Sequence, residues 1–220
     1  MKSFFSLITM LLVCGALSAQ EQATFSGKMK TEDIREVCTA VSNWQIDNFP
    51  NVKHNKAGWH NGALYIGMYQ WAEMAEDTKA AEFLMSVGKG LKWGLLSRSY
   101  HADDICVGQM YLEMYKKHQN EKMIQPLKER AFYVASHPSD AVLSKRDPVG
   151  KSTRWSWCDA LFMAPPVYAG LYTLTGEKVY KDYLMSEYKA CTDSLYDHDE
   201  SLYYRDGLRI GVPEPNGAKQ

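Results

Sequence analysis

An excess of charge of either sign is missing from this chain: 25 Lys and Arg face 26 Asp and Glu, for a formal net charge of −1 over 220 residues. That balance gives no reason to invoke nucleic acid as a partner. Past the N-terminus no apolar run approaches the ~20 residues that span a bilayer, so a soluble mature protein with no membrane partner is expected. Cysteines are few and scattered, at Cys14, Cys38, Cys106, Cys158 and Cys191, with no C-x-x-C pair. A helical chain of this size needs no disulfide, and the last four are expected to be buried free thiols. The sequence also lacks a nucleophilic serine elbow, a Gly-rich phosphate loop and a dinucleotide fingerprint. Chemistry must then come from carboxylates, aromatics and scattered basic groups.

What is present begins with an export signal. Lys2 supplies the positive end, residues 4–17 are almost wholly apolar, and Ala19 ends a run of small residues suited to cleavage. Residues 1–19 are therefore read as a signal peptide, and the mature chain, 20–220, as exported to the periplasm or the extracellular space. About 200 residues remain, enough for one domain with its own core. Their apolar spacing is helical nearly throughout. Helices are expected around 34–46, 64–74, 79–96, 105–117, 121–136, 159–175 and 178–195, with only 201–210 irregular or strand-like. Gly88 and Gly90 weaken the third or let a neighbour approach, and Pro165 and Pro166 fall in the first two turns of the sixth.

One plan recurs in this layout. Trp59-His60-Asn61-Gly62, His101-Ala102-Asp103-Asp104 and Trp157-Cys158-Asp159 each place an aromatic or His, then an amide or acid, before a helix of small and apolar residues. Each is followed by a more amphipathic helix rich in Lys and Glu. A toroid of helical hairpins has this alternation, because its inner ring is buried on all sides while its outer ring meets water. The inner helix starts would converge at one end.

Asp103 or Asp104 together with Asp159 would there supply two carboxylates. In one apolar pocket both cannot ionise cheaply, so one holds a proton at neutral pH. The ordinary explanation of acids at a helix start is capping. Trp59, Trp155, Trp157 and Tyr100 lie beside these starts and are suited to wall a sugar site, or to fill a core. His60, His101, Arg154 and Arg205 are the basic groups within reach of a substrate carboxylate. His101 with Asp104 lacks a third ligand, so no metal site is assigned.

These residues resemble a family. His101-Ala-Asp-Asp104-x-x-x-Gly108-Gln109-x-Tyr111, Trp157-x-Asp159-x-Leu161-Phe162-Met163-x-Pro165-Pro166 and Gly58-Trp59-x-Asn61-Gly62 look like the unsaturated rhamnogalacturonyl hydrolases and the related unsaturated glucuronyl hydrolases. The resemblance covers essentially all of 20–220. It implies an all-α fold, an (α/α)6 barrel, with no cofactor and an unsaturated uronic-acid oligosaccharide as partner. It also implies removal of a 4,5-unsaturated uronic acid from the non-reducing end of lyase-cut pectin fragments such as rhamnogalacturonan. By position Asp159 resembles the general acid/base and Asp104 its partner carboxylate, with Asp103 the second choice for that part. Asp103, His101, Trp59, Asn61, Trp155, Trp157 and Arg205 are the substrate-binding candidates. Seven helices are fewer than the twelve of a six-hairpin barrel, so the first half to two-thirds of the toroid is expected. The alternatives are an inactive fragment retaining at most carbohydrate binding, and another barrel sugar enzyme, a lyase or an epimerase.

Overall fold

Helix starts and stops follow local chemistry. In the computed structural model, which describes residues 30–141, 143 and 154–212, α1 (Thr31–Asn48) opens with Glu32 and Asp33 in its first turn and ends where Pro50 enters a single 3-10 turn, Phe49–Asn51. The expected signal peptide, most of the polar loop after residue 139 and the tail from 213 lie outside the described residues. Helix α2 (Trp59–Ala75) follows Gly58, and α3 (Thr78–Gly90) is capped by Asp77, whose carboxylate accepts from the Ala80 amide at 3.1 Å. It stops short of the expected residue 96 because the chain turns back through left-handed Lys92 and Trp93. Gly88 permits this: the Trp93 amide donates to its carbonyl at 3.0 Å, and a Cβ there would lie 2.2 Å from the Trp93 ring.

Two expected helices are each broken in two. The first is α4 (Ala102–Ile105) followed by α5 (Gly108–His118). After α6 (Gln125–Ser136), with Pro126 in its first turn, come α7 (Ala160–Met163) and α8 (Pro165–Thr175), separated because neither Pro165 nor Pro166 has an N–H to continue the ladder. Helix α9 (Lys178–Leu195) leads into a small antiparallel hairpin, β1 (Tyr196–Asp197) and β2 (Leu202–Tyr203), with Tyr196 opposite Tyr203.

The helices form two layers. α2, α5 and α8 lie side by side, α3 packs outside α2, and α9 packs outside α8 and beside α6. α5 is buried nearly all round, from Gly108 to Leu112 and at Met114 and Tyr115, whereas α6 buries one stripe, Leu127, Ala131, Val134 and Ala135. This is the expected inner and outer alternation.

α1 departs from expectation. Of Ile34, Val37, Val41, Trp44 and Ile46, whose apolar spacing predicts this helix, Ile34, Val41 and Trp44 are 45%, 52% and 60% exposed, while Val37 and Ile46 are part-buried. Its tie to α3 is polar, Lys79 Nζ donating to Asn43 Oδ1 at 2.9 Å and to Asp47 Oδ1 at 3.3 Å. Cys38, Cys106, Cys158 and Cys191 are free, and burial pushes the Cys106 and Cys191 thiols up to about 12. No described helix is long and apolar enough to cross a membrane.

Candidate active site

α4 packs against both α2 and α7, which brings the three motif-bearing helix starts together. The approach is close at Gly62, where a Cβ would come within 3.0 Å of the Val107 amide nitrogen and 3.1 Å of Cys106 Sγ. The Asp103 charge, at the start of α4, acts on His60 in α2 and on Asp159 before α7.

Neither acid of the Asp103-Asp104 pair caps α4. His101 does so, its Nδ1 accepting from the Asp103 amide at 3.3 Å. Asp104 is 1% exposed and belongs to Arg98. One of its oxygens accepts from the Arg98 amide at 2.8 Å, the other from Nε at 3.0 Å and Nη2 at 2.5 Å. A carboxylate so engaged keeps about one of its roughly four acceptor positions for a substrate, so Asp104, expected as the partner of Asp159, is here chiefly the partner of Arg98. Asp103 is partly exposed, its Oδ2 3.6 Å from both Arg98 Nη2 and His101 Nδ1, and it is the member of the pair whose charge reaches Asp159.

Asp159 precedes α7 and makes no capping bond to it. Burial raises its pKa and the Asp103 charge raises it further; the amides of Asp159 and Ala160 and the nearby His101 pull the other way without cancelling the rise. The result is a half-buried carboxyl that keeps its proton to higher pH than an ordinary aspartate, as a general acid requires. Behind it, Gln109 of α5 donates from Nε2 to the Phe162 carbonyl at 2.8 Å and to the Met163 carbonyl at 3.0 Å.

The aromatic candidates divide. Trp59 is exposed and stacked on His60 with centroids 3.8 Å apart, and His60 is stacked on His54 at the same distance, forming a shelf of three rings. Local desolvation and His54 lower the pKa of His60, while Asp103 opposes them. Trp157 is half-buried beneath the Arg205 guanidinium, whose carbon lies 4.9 Å from the ring centroid. Arg205 also donates from Nε to Asp206 Oδ2 at 2.8 Å, and its carbonyl accepts from the Cys158 amide at 2.9 Å, tying this late segment to the turn before Asp159. Trp155, expected at the substrate wall, is 2% exposed and packs on Tyr168 and Tyr183, so it is a core residue. Asn61 is buried and donates to the Asn55 carbonyl at 3.0 Å, holding the loop before α2. Arg154 is committed to buried Glu187, Nε lying 2.7 Å and 2.9 Å from its two oxygens. Sequence reasoning missed Arg98, which sits in a loop without periodicity, and gave Gln109 no role beyond membership of a motif.

Comparison with known proteins agrees with this architecture. Two proteins named unsaturated 3S-rhamnoglycuronyl hydrolase are similar to the chain: one from Alteromonas sp. (strain LOR), 27% identical over 232 residues, and one from Formosa agariphila, 32% identical over 224. The alignments take in 90% and 97% of this chain but 56% and 58% of those relatives, so the chain spans little more than half their length. Among solved structures, a polysaccharide lyase superposes with a TM-score of 0.72 at 22% identity, covering 86% of this chain and 54% of its own. A glycosyl hydrolase family 88 protein from Bacteroides vulgatus gives 0.66 at 20%, covering 84% and 56%. These likenesses establish the fold, the six-hairpin α/α barrel to which the layered helix pairs correspond. The sequence pattern of Glycosyl Hydrolase Family 88 matches residues 35–219, and the chain belongs to that family.

Proposed function

We propose that this chain carries the acid/base half of a glycoside hydrolase that removes a 4,5-unsaturated uronic acid from the non-reducing end of an oligosaccharide. The observation that carries the reading is Asp159, a half-buried carboxyl whose proton is held by burial and by the Asp103 charge where three helix starts meet. Asp159 delivers its proton to C4 of the double bond. Its carboxylate then accepts a proton from the water that adds at C5. The resulting hemiketal opens, the bond to the leaving sugar breaks, and the hemiketal proton goes to the departing oxygen. One carboxyl serves both steps, so the spacing rules for paired glycosidase carboxylates do not apply. Asp103, rather than Asp104, is the neighbouring carboxylate. Trp59 and Trp157 offer faces to the sugar rings, and half-exposed Arg205 offers a guanidinium to the uronate.

The two relatives named for unsaturated 3S-rhamnoglycuronyl substrates favour a rhamnose-type sugar on the leaving side. Rhamnogalacturonan fragments from pectin are one such class. The apolar run at 4–17 supports export, with the reaction outside the cytoplasm.

The test follows the conjugated enol-ether acid at ~235 nm with residues 20–220 and two unsaturated disaccharides, one from rhamnogalacturonan and one of the rhamnoglycuronyl kind for which the two relatives are named, where Asp159→Asn is expected to cost at least ~100-fold. Decay abolished by Asp159→Asn supports the reading. A folded chain that leaves both substrates intact overturns it for this chain, and equal action on a saturated uronide overturns the hydration chemistry.

A further inference from the structure

The prolines after α7 remove two helical donors. In an unbroken helix the amide of residue 166 would donate to the carbonyl of residue 162, and that of residue 167 to residue 163. Residue 166 is a proline and has no N–H. The Val167 amide donates to Ala164 instead, at 3.0 Å. The two carbonyls thus released, of Phe162 and Met163, are the two that receive the side-chain amide of Gln109 from the neighbouring inner helix, at 2.8 Å and 3.0 Å. An amide nitrogen has two donors, one for each carbonyl, and Gln109 and Met163 are buried, so withdrawing them would strand the Met163 carbonyl away from water and leave the part-buried Phe162 carbonyl without its protein donor.

The same turn reaches back to Asp159. The Phe162 and Met163 amides both donate to the Asp159 carbonyl, at 2.9 Å and 3.1 Å. The peptide unit joining Phe162 to Met163 is therefore held on its oxygen by Gln109 and, on its nitrogen, holds Asp159. α7 has four residues and no side-chain cap from Asp159, and apart from Gln109 it is held by short-range backbone bonds such as Leu161 to Cys158 at 3.1 Å and Ala164 to Ala160 at 3.2 Å.

We propose that Gln109 is the positioning residue for Asp159, holding through that peptide unit the turn that aims its carboxyl group. The inference rests on the reading of Asp159 as acid/base given above. Gln109 touches no reacting atom. Without its donors the turn loosens, and Asp159 gains water and moves relative to Asp103, the two influences that raise its proton affinity.

The experiment compares the wild-type chain, Gln109→Met, Pro166→Ala and the double variant. Met keeps length and volume but has no donor, while Ala at 166 restores the N–H that Phe162 lacks. The Asp159 side-chain carbon is followed by NMR titration, its resonance identified by its loss in Asp159→Asn, and kcat and KM are measured on the unsaturated disaccharides. In Gln109→Met the Asp159 midpoint should fall toward that of an ordinary aspartate, and kcat should fall ~10- to 100-fold, the scale of a misplaced reacting group, with KM changing less than threefold. Pro166→Ala should recover part of both losses in the double variant, which a general loss of stability would not reproduce. An unchanged midpoint in folded Gln109→Met overturns the proposal. If Gln109→Met does not fold, the double variant is compared with Pro166→Ala, and equal midpoints overturn it. A midpoint that moves in a chain without turnover keeps the positioning role and overturns the hydrolase reading instead.

Discussion

Arg98 holds Asp104 with its side chain and its main chain together: Nε and Nη2 meet one oxygen and the amide meets the other. The loop that presents Arg98 is itself held down, by Tyr111 Oη donating to the Gly94 carbonyl at 3.0 Å and by Arg130 Nη1 donating to Leu96 at 2.9 Å. The pair thus joins the 91–101 loop to the start of α4.

Removing one partner of such a pair leaves a buried charge uncompensated. Because the Arg98 side chain is 41% exposed, Arg98→Met is expected to cost ~3 kcal/mol, the lower end for buried pairs, read as a shifted urea midpoint. Asp103→Asn touches only contacts at 3.6 Å and should cost below ~1 kcal/mol. On activity the order reverses, with Asp103→Asn impairing turnover of a fully folded chain. Should Asp104→Asn leave stability intact while abolishing turnover, Asp104 would return to the chemistry.

The raised pKa of Asp159 fixes the sign of two pH effects. Turnover needs the protonated acid, so the rate should fall as pH rises through that pKa. Asp103→Asn removes a like charge, lowers the Asp159 pKa and should move this basic limb to lower pH. Stability follows the same linkage. A carboxyl with a raised folded pKa favours the fold at low pH, and that contribution is lost as pH rises through the folded value. Asp159→Asn should therefore melt at a higher temperature than wild type at pH 7 to 8. The difference should vanish below the ordinary value of 3.8, where both states hold the proton. Equal melting at both pH values would refute the raised pKa.

The layering was legible because each inner start repeats one plan, and Asp159 could be singled out as a candidate because it stands beside Trp157 just before an apolar helix. Arg98 was not, since a loop residue gains its meaning from where the loop folds. The breaks at Cys106-Val107 and Ala164 were also hidden, because apolar spacing runs unbroken through them. Trp155 and Trp157 show the same limit on a smaller scale. Two residues apart, a spacing that would put both on one face of a regular strand, they have different surroundings, one in the core and one beneath Arg205, although both had been read as one wall.

Their variants should separate accordingly. Trp155→Ala empties a buried site between Tyr168 and Tyr183 and should cost about 3–5 kcal/mol of stability. Trp157→Ala should mainly raise KM, since it removes the half-buried ring beneath Arg205. Denaturation and kinetics on the same two proteins decide it. A stable Trp155→Ala with weakened substrate binding would restore Trp155 to the sugar wall.

Gly62 should be among the least tolerant positions near the site. An added Cβ would meet the Val107 amide nitrogen at 3.0 Å and Cys106 Sγ at 3.1 Å, and the Val107 backbone cannot swing aside as a side-chain end would. α2 must then move away from the joint of α4 and α5, carrying with it the Trp59 and His60 rings. Gly62→Ala has a small propensity gain inside a helix, below ~1 kcal/mol, but overpacking of ~1–3 kcal/mol outweighs it. Stability should fall by that difference, and KM should rise because the ring shelf shifts relative to Asp103. Gly67, in the same helix with nothing within 4 Å of its would-be Cβ, is the control: Gly67→Ala should show the propensity gain alone, with kinetics unchanged. If the two variants behave alike, the contact at Gly62 does not set the spacing of the inner helices.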